Sequence, residues 1–335
     1  MRSIQFRAIA EHQPGATWKA LFDPAWPFYR AWFLRSGAVA RPSFLECRRA
    51  LRKHMPELVP TWERLVELAG GGDLEARFLS LWCPPPYIVG CSQAVWVDAQ
   101  CTHEPLLVRN YDFSPALLEG TWLSTQWTGQ RVMAMSDCLW GALDGINESG
   151  LAASLSFGGR TVAGDGFGIP LVLRYVLETA SSTASAIAIL ERIPVHMSYS
   201  VTLLDRHSQW ATVFLNPDRP VEVTRRKAVT NVQHEVEWPE HARATRSAER
   251  LEALRLKIES AGPAQGVIDA LLSEPLYQPA WQRGYGTLYT AAYAPHSRQA
   301  SLHWPGESWA QTLDAFEEGQ RTIDFQSQEA PTVLA

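Results

Sequence analysis

A thiol preceded by the least hindered residue opens the chemistry of this chain. Gly90-Cys91-Ser92 closes a stretch that begins with Pro84, and a second run follows, Arg109-Asn110-Tyr111-Asp112-Phe113. Tyr87 to Val89 is short, apolar and β-branched, and reads as the start of a strand. Pro84 to Pro86 bar a helix before it and favour an extended approach. Ala94 to Val97 and Pro105 to Val108 read as two strands around a polar turn, Asp98 to Glu104. A turn centred between Cys101 and Thr102 sets Asp112 opposite Cys91, and directly opposed residues on a ladder lie about 4.5–5.5 Å apart. A cysteine, an aspartate and an arginine then meet at one end of a hairpin. For a lone Gly-Cys the plain alternative is a buried cysteine in a strand.

The elements that must position these groups fall into two textures. Residues 1 to about 81 read as helical: Trp18 to Phe22 and Pro27 to Leu34 are apolar clusters, and Ser43 to Met55 and Pro60 to Leu68 recur at helical spacing. Thr61 reads as an N-cap, and Gly70 to Gly72 end that helix. After the hairpin, Asn147 to Gly150 forms a tight turn into a strand, Leu151 to Phe157. Gly158 to Gly168 reads as a loop on the substrate side. Two helices follow, then a hairpin turning at Asp205 to Gln209, a strand ending at Thr230-Asn231, and an amphipathic helix over Thr245 to Ile258. A last hairpin turns at Ala294 to His296, and the tail after about Ile323 is polar. Hairpins interrupted by helices imply antiparallel sheets with segregated helices, an α+β fold.

The 335 residues can bury a large core, and 46% hydrophobic with 19% charged residues is ordinary for a globular protein. A net charge of −5 gives no basic patch, which argues against nucleic acid and anionic membranes as partners. No apolar run is long enough for a membrane span. Five irregularly spaced cysteines suggest no zinc site. With no apolar leader after Met1 to Arg7, they fit a reducing, cytoplasmic setting where a thiol stays free. No cofactor or metal is expected. The tryptophans read as core and interface packing, and self-association stays open.

Gly90-Cys91 with Arg109-Asn110-x-Asp112 resembles the self-cleaving acyltransferases and amide hydrolases typified by isopenicillin N acyltransferase. These are N-terminal-nucleophile hydrolases related to choloylglycine hydrolase and penicillin V acylase. Further points of likeness are Gly145 to Leu151, Val201 to Asp205, Thr230-Asn231, Ser247-x-x-Arg250 and Thr287-Leu288-Tyr289. The resemblance implies an αββα sandwich and autocatalytic cleavage between Gly90 and Cys91. Residues 1–90 become a propeptide or small subunit, and 91–335 the hydrolase core. It further implies Cys91 as nucleophile, Asp112 orienting it and its amine, and Asn231 as oxyanion donor. Arg109 stands beside the thiol, Asn147 is a second polar group near the acyl carbon, and Arg283 is a substrate contact. The implied partner is a small N-acyl amide or acyl thioester. Val232-Gln233 and Ser92 depart from the family's usual residues and bear on substrate range.

The chemistry has its own logic. A thiol attacks as thiolate, with a free pKa of about 8.5, whereas a freed α-amine has one of about 7.7–8.0, suited to a general base. An arginine nearby favours the thiolate, and an asparagine amide can stabilise an oxyanion. Two rivals stand beside this reading. One is a Cys-His thiol hydrolase using Cys91 or Cys101 with His103, His196 or His234. The other is an uncleaved relative that binds a small molecule.

Overall fold

The computed structural model describes residues 3–98, 103–260, 263–281 and 284–325. In chain order the elements are β1 (Ser3–Glu11), α1 (Ala16–Phe33), α2 (Phe44–His54), α3 (Val59–Leu68), α4 (Asp73–Leu79), β2 (Gly90–Trp96), β3 (Leu106–Phe113), β4 (Thr121–Thr125), β5 (Val132–Asp137), β6 (Gly141–Asn147) and β7 (Leu151–Phe157). Then come α5 (Ile169–Thr179), α6 (Thr183–Arg192), β8 (Tyr199–Asp205), β9 (Trp210–Leu215), β10 (Glu222–Thr224), β11 (Ala228–Val229), α7 (Pro239–Ala244), α8 (Ser247–Ser260) and α9 (Gln265–Leu271). The chain closes with β12 (Gly286–Ala294), β13 (Gln299–Trp304), β14 (Glu307–Thr312) and β15 (Gly319–Asp324).

Two sheets form, ordered β10-β9-β8-β7-β6-β5-β4-β1-β15 and β11-β2-β3-β12-β13-β14. Neighbours run antiparallel except β1 and β4, which are parallel. The sheets face each other, with β2 and β3 against β7 and β8. Helices α5 and α6 cover the larger sheet, and α8 and α9 cover the smaller one. This is the expected α+β sandwich, with helix layers outside two sheets. Period-2 alternation decides which layer each side chain joins. Ala94, Trp96 and Val108 pack with Leu254, Ile268 and Leu271 in a core under α8 and α9. Cys91, Val95, Leu107 and Tyr111 belong to the larger core between the sheets.

The first segment departs from the expected all-helical reading. Ser3–Glu11 is a strand whose Ile4, Phe6 and Ala8 point inward, and it lies between β4 and β15 inside the larger sheet. The helices that follow are built on aromatic packing. Trp18, Phe22, Tyr29 and Phe33 are buried along α1, which runs through Pro24 and Pro27. Ser43 caps α2 with a reciprocal bond to Glu46. Helix α3 starts at Val59, leaving Thr61 inside it instead of at its cap. Tyr87 to Val89 join no sheet, and the strand begins at Gly90.

Candidate active site

The hairpin register differs from the expected one by a residue: Gly90 pairs with Asp112, and Cys91 with Tyr111. A one-residue shift moves a side chain to the other face of a sheet. Cys91, Arg109 and Tyr111 therefore point between the sheets, while Asp112 points with Gly90 and Ser92 toward the helices. Residues 99–102, Cys101 among them, lie outside the described residues.

Between the sheets, Arg109 Nη2 donates to Cys91 Sγ at 2.9 Å. Arg109 Nη1 donates to the Leu143 carbonyl and to Asp144 Oδ2, each at 2.7 Å. Asp144 also accepts from the Tyr289 hydroxyl at 2.7 Å and from the Tyr293 hydroxyl. The Arg109 guanidinium lies 5.0 Å from the centre of the Tyr111 ring, whose hydroxyl is 2.7 Å from that of Tyr87. Guanidinium geometry suits this task, since one planar fork reaches the sulfur, the carboxylate and a carbonyl together.

On the helix side a second arginine holds the backbone. Arg250 Nη1 donates to the Cys91 carbonyl and to Ser92 Oγ, each at 2.7 Å. The same nitrogen stands 3.2 Å from Asp112 Oδ2. Arg250 Nη2 donates to Asn231 Oδ1 at 2.9 Å, and Nε to the Thr245 carbonyl at 2.8 Å. Asn231 Oδ1 in turn accepts the Cys91 backbone N–H at 3.1 Å. Its Nδ2 donates to the carbonyls of Val89 at 3.1 Å and Phe157 at 2.9 Å. One side chain thus brackets Gly90, gripping the chain just before and just after it. Asp112 is held by the Thr287 hydroxyl at 2.7 Å and Gln278 Nε2 at 3.0 Å.

Arg109 with Asp144 and Arg250 with Asp112 are two ion pairs whose four side chains are fully buried. Each charge is compensated, as burial demands. Cys91 itself is fully buried. Burial pushes its thiol up to about 11, with Asp112 acting in the same direction and Arg109 and Arg250 against it. In the continuous chain the sulfur is a neutral thiol at neutral pH, placed beside a cation that favours its ionisation.

Asn147 was expected near the acyl carbon and lies elsewhere. Its Nδ2 donates to the carbonyls of Leu177 at 3.0 Å and Ala180 at 2.7 Å, and its Oδ1 accepts from the Leu151 N–H at 3.0 Å. Asp144 stands three residues earlier on β6, an odd offset that puts the two on opposite faces. Asp144 faces Arg109, and Asn147 faces the end of α5. Arg283 lies outside the described residues. The His196 ring turns to the Phe167 carbonyl, and burial pushes that ring down to about 4. His103 meets Asp98, and His234 meets Glu222.

Arg250, Asp144, Tyr289, Gln278 and Tyr285 complete the site and were not assigned to it from the sequence. The Ser247-x-x-Arg250 spacing was visible on the long helix, but nothing local says that its arginine reaches across to β2. Among the described residues no group of His, Cys, Asp or Glu is arranged to hold a metal ion, and no helix is long and apolar enough to cross a membrane.

A family model described as acyl-coenzyme A:6-aminopenicillanic acid acyl-transferase matches residues 97–309. That span holds Arg109, Asp112, Asn231 and Arg250 and begins after Cys91. No curated protein matches the chain. Among solved structures, penicillin V acylase from Agrobacterium tumefaciens is similar at 14% identity, covering 70% of this chain and 91% of that one, with a TM-score of 0.46. A mutant of conjugated bile acid hydrolase from Clostridium perfringens gives 11%, 70%, 97% and 0.47 on the same measures. The Caenorhabditis elegans ortholog of N-acylethanolamine-hydrolyzing acid amidase gives 12%, 70%, 100% and 0.46. No residue role transfers from likenesses this distant.

Proposed function

The chain belongs to the acyl-coenzyme A:6-aminopenicillanic acid acyl-transferase family, and from that premise we propose that it is a self-cleaving cysteine amide hydrolase or acyltransferase acting on a small N-acyl compound or acyl thioester. The observation that carries this reading is the treatment of one peptide bond. Asn231 accepts the Cys91 N–H and donates to the Val89 carbonyl, while Arg109 fixes the sulfur of the same residue.

In the first step the Cys91 sulfur attacks the Gly90 carbonyl carbon. The thiol proton passes to the Cys91 nitrogen, the C–N bond breaks, and Gly90 is left as a thioester on Cys91 with a free α-amine. Water then cleaves the thioester, giving a Gly90 carboxylate and restoring the thiol. In turnover the α-amine takes the thiol proton, the sulfur attacks the substrate acyl carbon, and the proton goes to the leaving amine or thiol. Water or an acceptor amine completes the cycle.

These contacts support the following assignment of roles. Cys91 is the nucleophile, and its own amine is the base, with an ordinary pKa of about 7.7–8.0. Arg109 stabilises the developing thiolate, and Asp144, Tyr289 and Tyr293 hold Arg109 in place. Through Oδ1, Asn231 holds the amine by accepting its N–H. Its Nδ2, released from Val89 once the chain parts, is a donor for the oxyanion. Asp112 orients the nucleophile through Arg250.

The test is to capture the acyl-enzyme. Purified protein mixed with butyryl thioester and quenched in acid should carry one butyryl group on the peptide beginning at Cys91, released by neutral hydroxylamine. Acylation only of lysines or of other cysteines would contradict the proposal.

A further inference from the structure

The absent side chain of Gly90 is as informative as the sulfur beside it. A β-carbon placed on Gly90 would lie 1.8 Å from the Tyr285 hydroxyl oxygen and 3.0 Å from Tyr285 Cζ. It would also lie 3.1 Å from Asp112 Cβ. Asp112 has no freedom to retreat, being fixed by Thr287, Gln278 and Arg250. Tyr285 stands at the foot of β12, and among the described residues its buried hydroxyl has no hydrogen-bond partner of ordinary geometry. The Gln278 Nε2 beside it donates to Asp112 at 3.0 Å. Burial, and next the charge of Asp112, raise the phenol's pKa, so it stays neutral. What the hydroxyl touches is the α-carbon of the acyl group that Cys91 attacks within its own chain.

We propose that Tyr285, backed by Asp112, is a specificity-determining residue that restricts the reacting acyl group to one whose α-carbon is an unsubstituted methylene on this face. This rests on the reading of Gly90–Cys91 as the self-cleaved bond. Gly90 is then the first acyl donor that the sulfur meets, and later donors must present their acyl carbon to the same sulfur. The substrate class narrows to acyl amides and thioesters whose α-carbon carries no substituent on the face toward Tyr285. An acyl group with a substituent where an L-residue carries its β-carbon is excluded, because overpacking against a fixed wall is costly.

The test has an arm within the chain and an arm on added substrate, both read as ratios. Within the chain, intact mass against time is followed for wild type, Gly90→Ala, Tyr285→Phe and the double variant. Gly90→Ala should slow cleavage by about tenfold or more, and the penalty should fall to about threefold or less in the Tyr285→Phe background. On added substrate, the cleaved enzyme is compared on the p-nitroanilides of butyric acid and of the two 2-methylbutyric enantiomers. The enantiomer whose methyl stands where an L-residue's β-carbon would should lose about tenfold or more in kcat/KM. Tyr285→Phe should shrink that ratio. Equal cleavage of wild type and Gly90→Ala, or an equal penalty in both backgrounds, overturns the inference and leaves the proposed function standing. If the anilides are not turned over, the arm within the chain decides. A wild type that never cleaves overturns the proposed function and this inference with it.

Discussion

Asn231 uses the two ends of its amide for different work, and two substitutions separate them. Its oxygen accepts from the Cys91 N–H and from Arg250, at 3.1 and 2.9 Å. Its nitrogen donates to the Val89 and Phe157 carbonyls, at 3.1 and 2.9 Å. Asn231→Asp keeps the accepting end beside Arg250 and deletes the donating end, whereas Asn231→Ala deletes both. If the nitrogen is the oxyanion donor, both variants should lose about 10²–10³ in kcat, or about 2.7–4 kcal/mol of barrier. Stability is read apart from this, in a Cys91→Ala background, by urea unfolding. Each buried carbonyl left without a donor costs about 1–3 kcal/mol, so a lower midpoint is expected without loss of the fold. The kinetic assay is single-turnover deacylation of a butyryl thioester on chains shown by mass to be cleaved. A cleaved, folded Asn231→Asp enzyme with near wild-type kcat would refute the oxyanion role, leaving Asn231 as the holder of the Cys91 nitrogen alone.

Asp112→Asn should slow both cleavage and turnover, because it removes the buried negative charge that compensates Arg250; mass against time and kcat check this, and unchanged rates contradict it. Single replacement of His103, His196 or His234 should leave kcat within about tenfold, or about 1.4 kcal/mol, and a folded, cleaved variant losing several orders of magnitude would move the chain to a Cys-His mechanism. Burial, and then the charge of Glu119, push the buried Asp137 carboxyl up to about 8. A folded-state value raised above the ordinary carboxylate range makes its contribution full at low pH and lost as pH rises toward 8, by about 1.4 kcal/mol per pH unit. Asp137→Asn in the Cys91→Ala background should flatten the fall in urea midpoint between about pH 4 and 8, and an unchanged slope refutes the assignment. After cleavage the first ninety residues should remain bound and co-elute until denaturant is added, because β1 lies between β4 and β15 and Trp140 Nε1 donates to the Leu79 carbonyl.

Much of this site was legible because its parts are local. Gly90, Cys91 and Arg109 sit on one hairpin, so their nearness follows from local spacing, whereas Asn231, after the short strand β11 that pairs with β2, is reached only through the family resemblance. The register was missed by one because a polar turn carries little to fix it. The burial of every residue of β2 hides the alternation that would otherwise decide. Asp144, Tyr289 and Arg250 come from the facing sheet, a neighbouring strand and a covering helix, and their meeting is a matter of tertiary packing that no local spacing encodes. Asn147 shows the opposite error: a persuasive turn motif placed on the wrong face by an odd offset from Asp144. Ser3–Glu11 carries a strand signal of its own. Its alternation of Ile4, Phe6 and Ala8 with Gln5 and Arg7 is a strand pattern, overshadowed by the helical texture after it.

Every role proposed for Cys91 depends on whether the Gly90–Cys91 bond breaks. Intact-mass spectrometry of the purified wild-type protein under denaturing conditions should find two chains. By scaling the 37.4 kDa chain at this one covalent processing site they are of about 10 and about 27 kDa. The larger should begin at Cys91, and Cys91→Ala should remain one chain. A wild-type protein that stays whole while turning over acyl substrates would contradict the account.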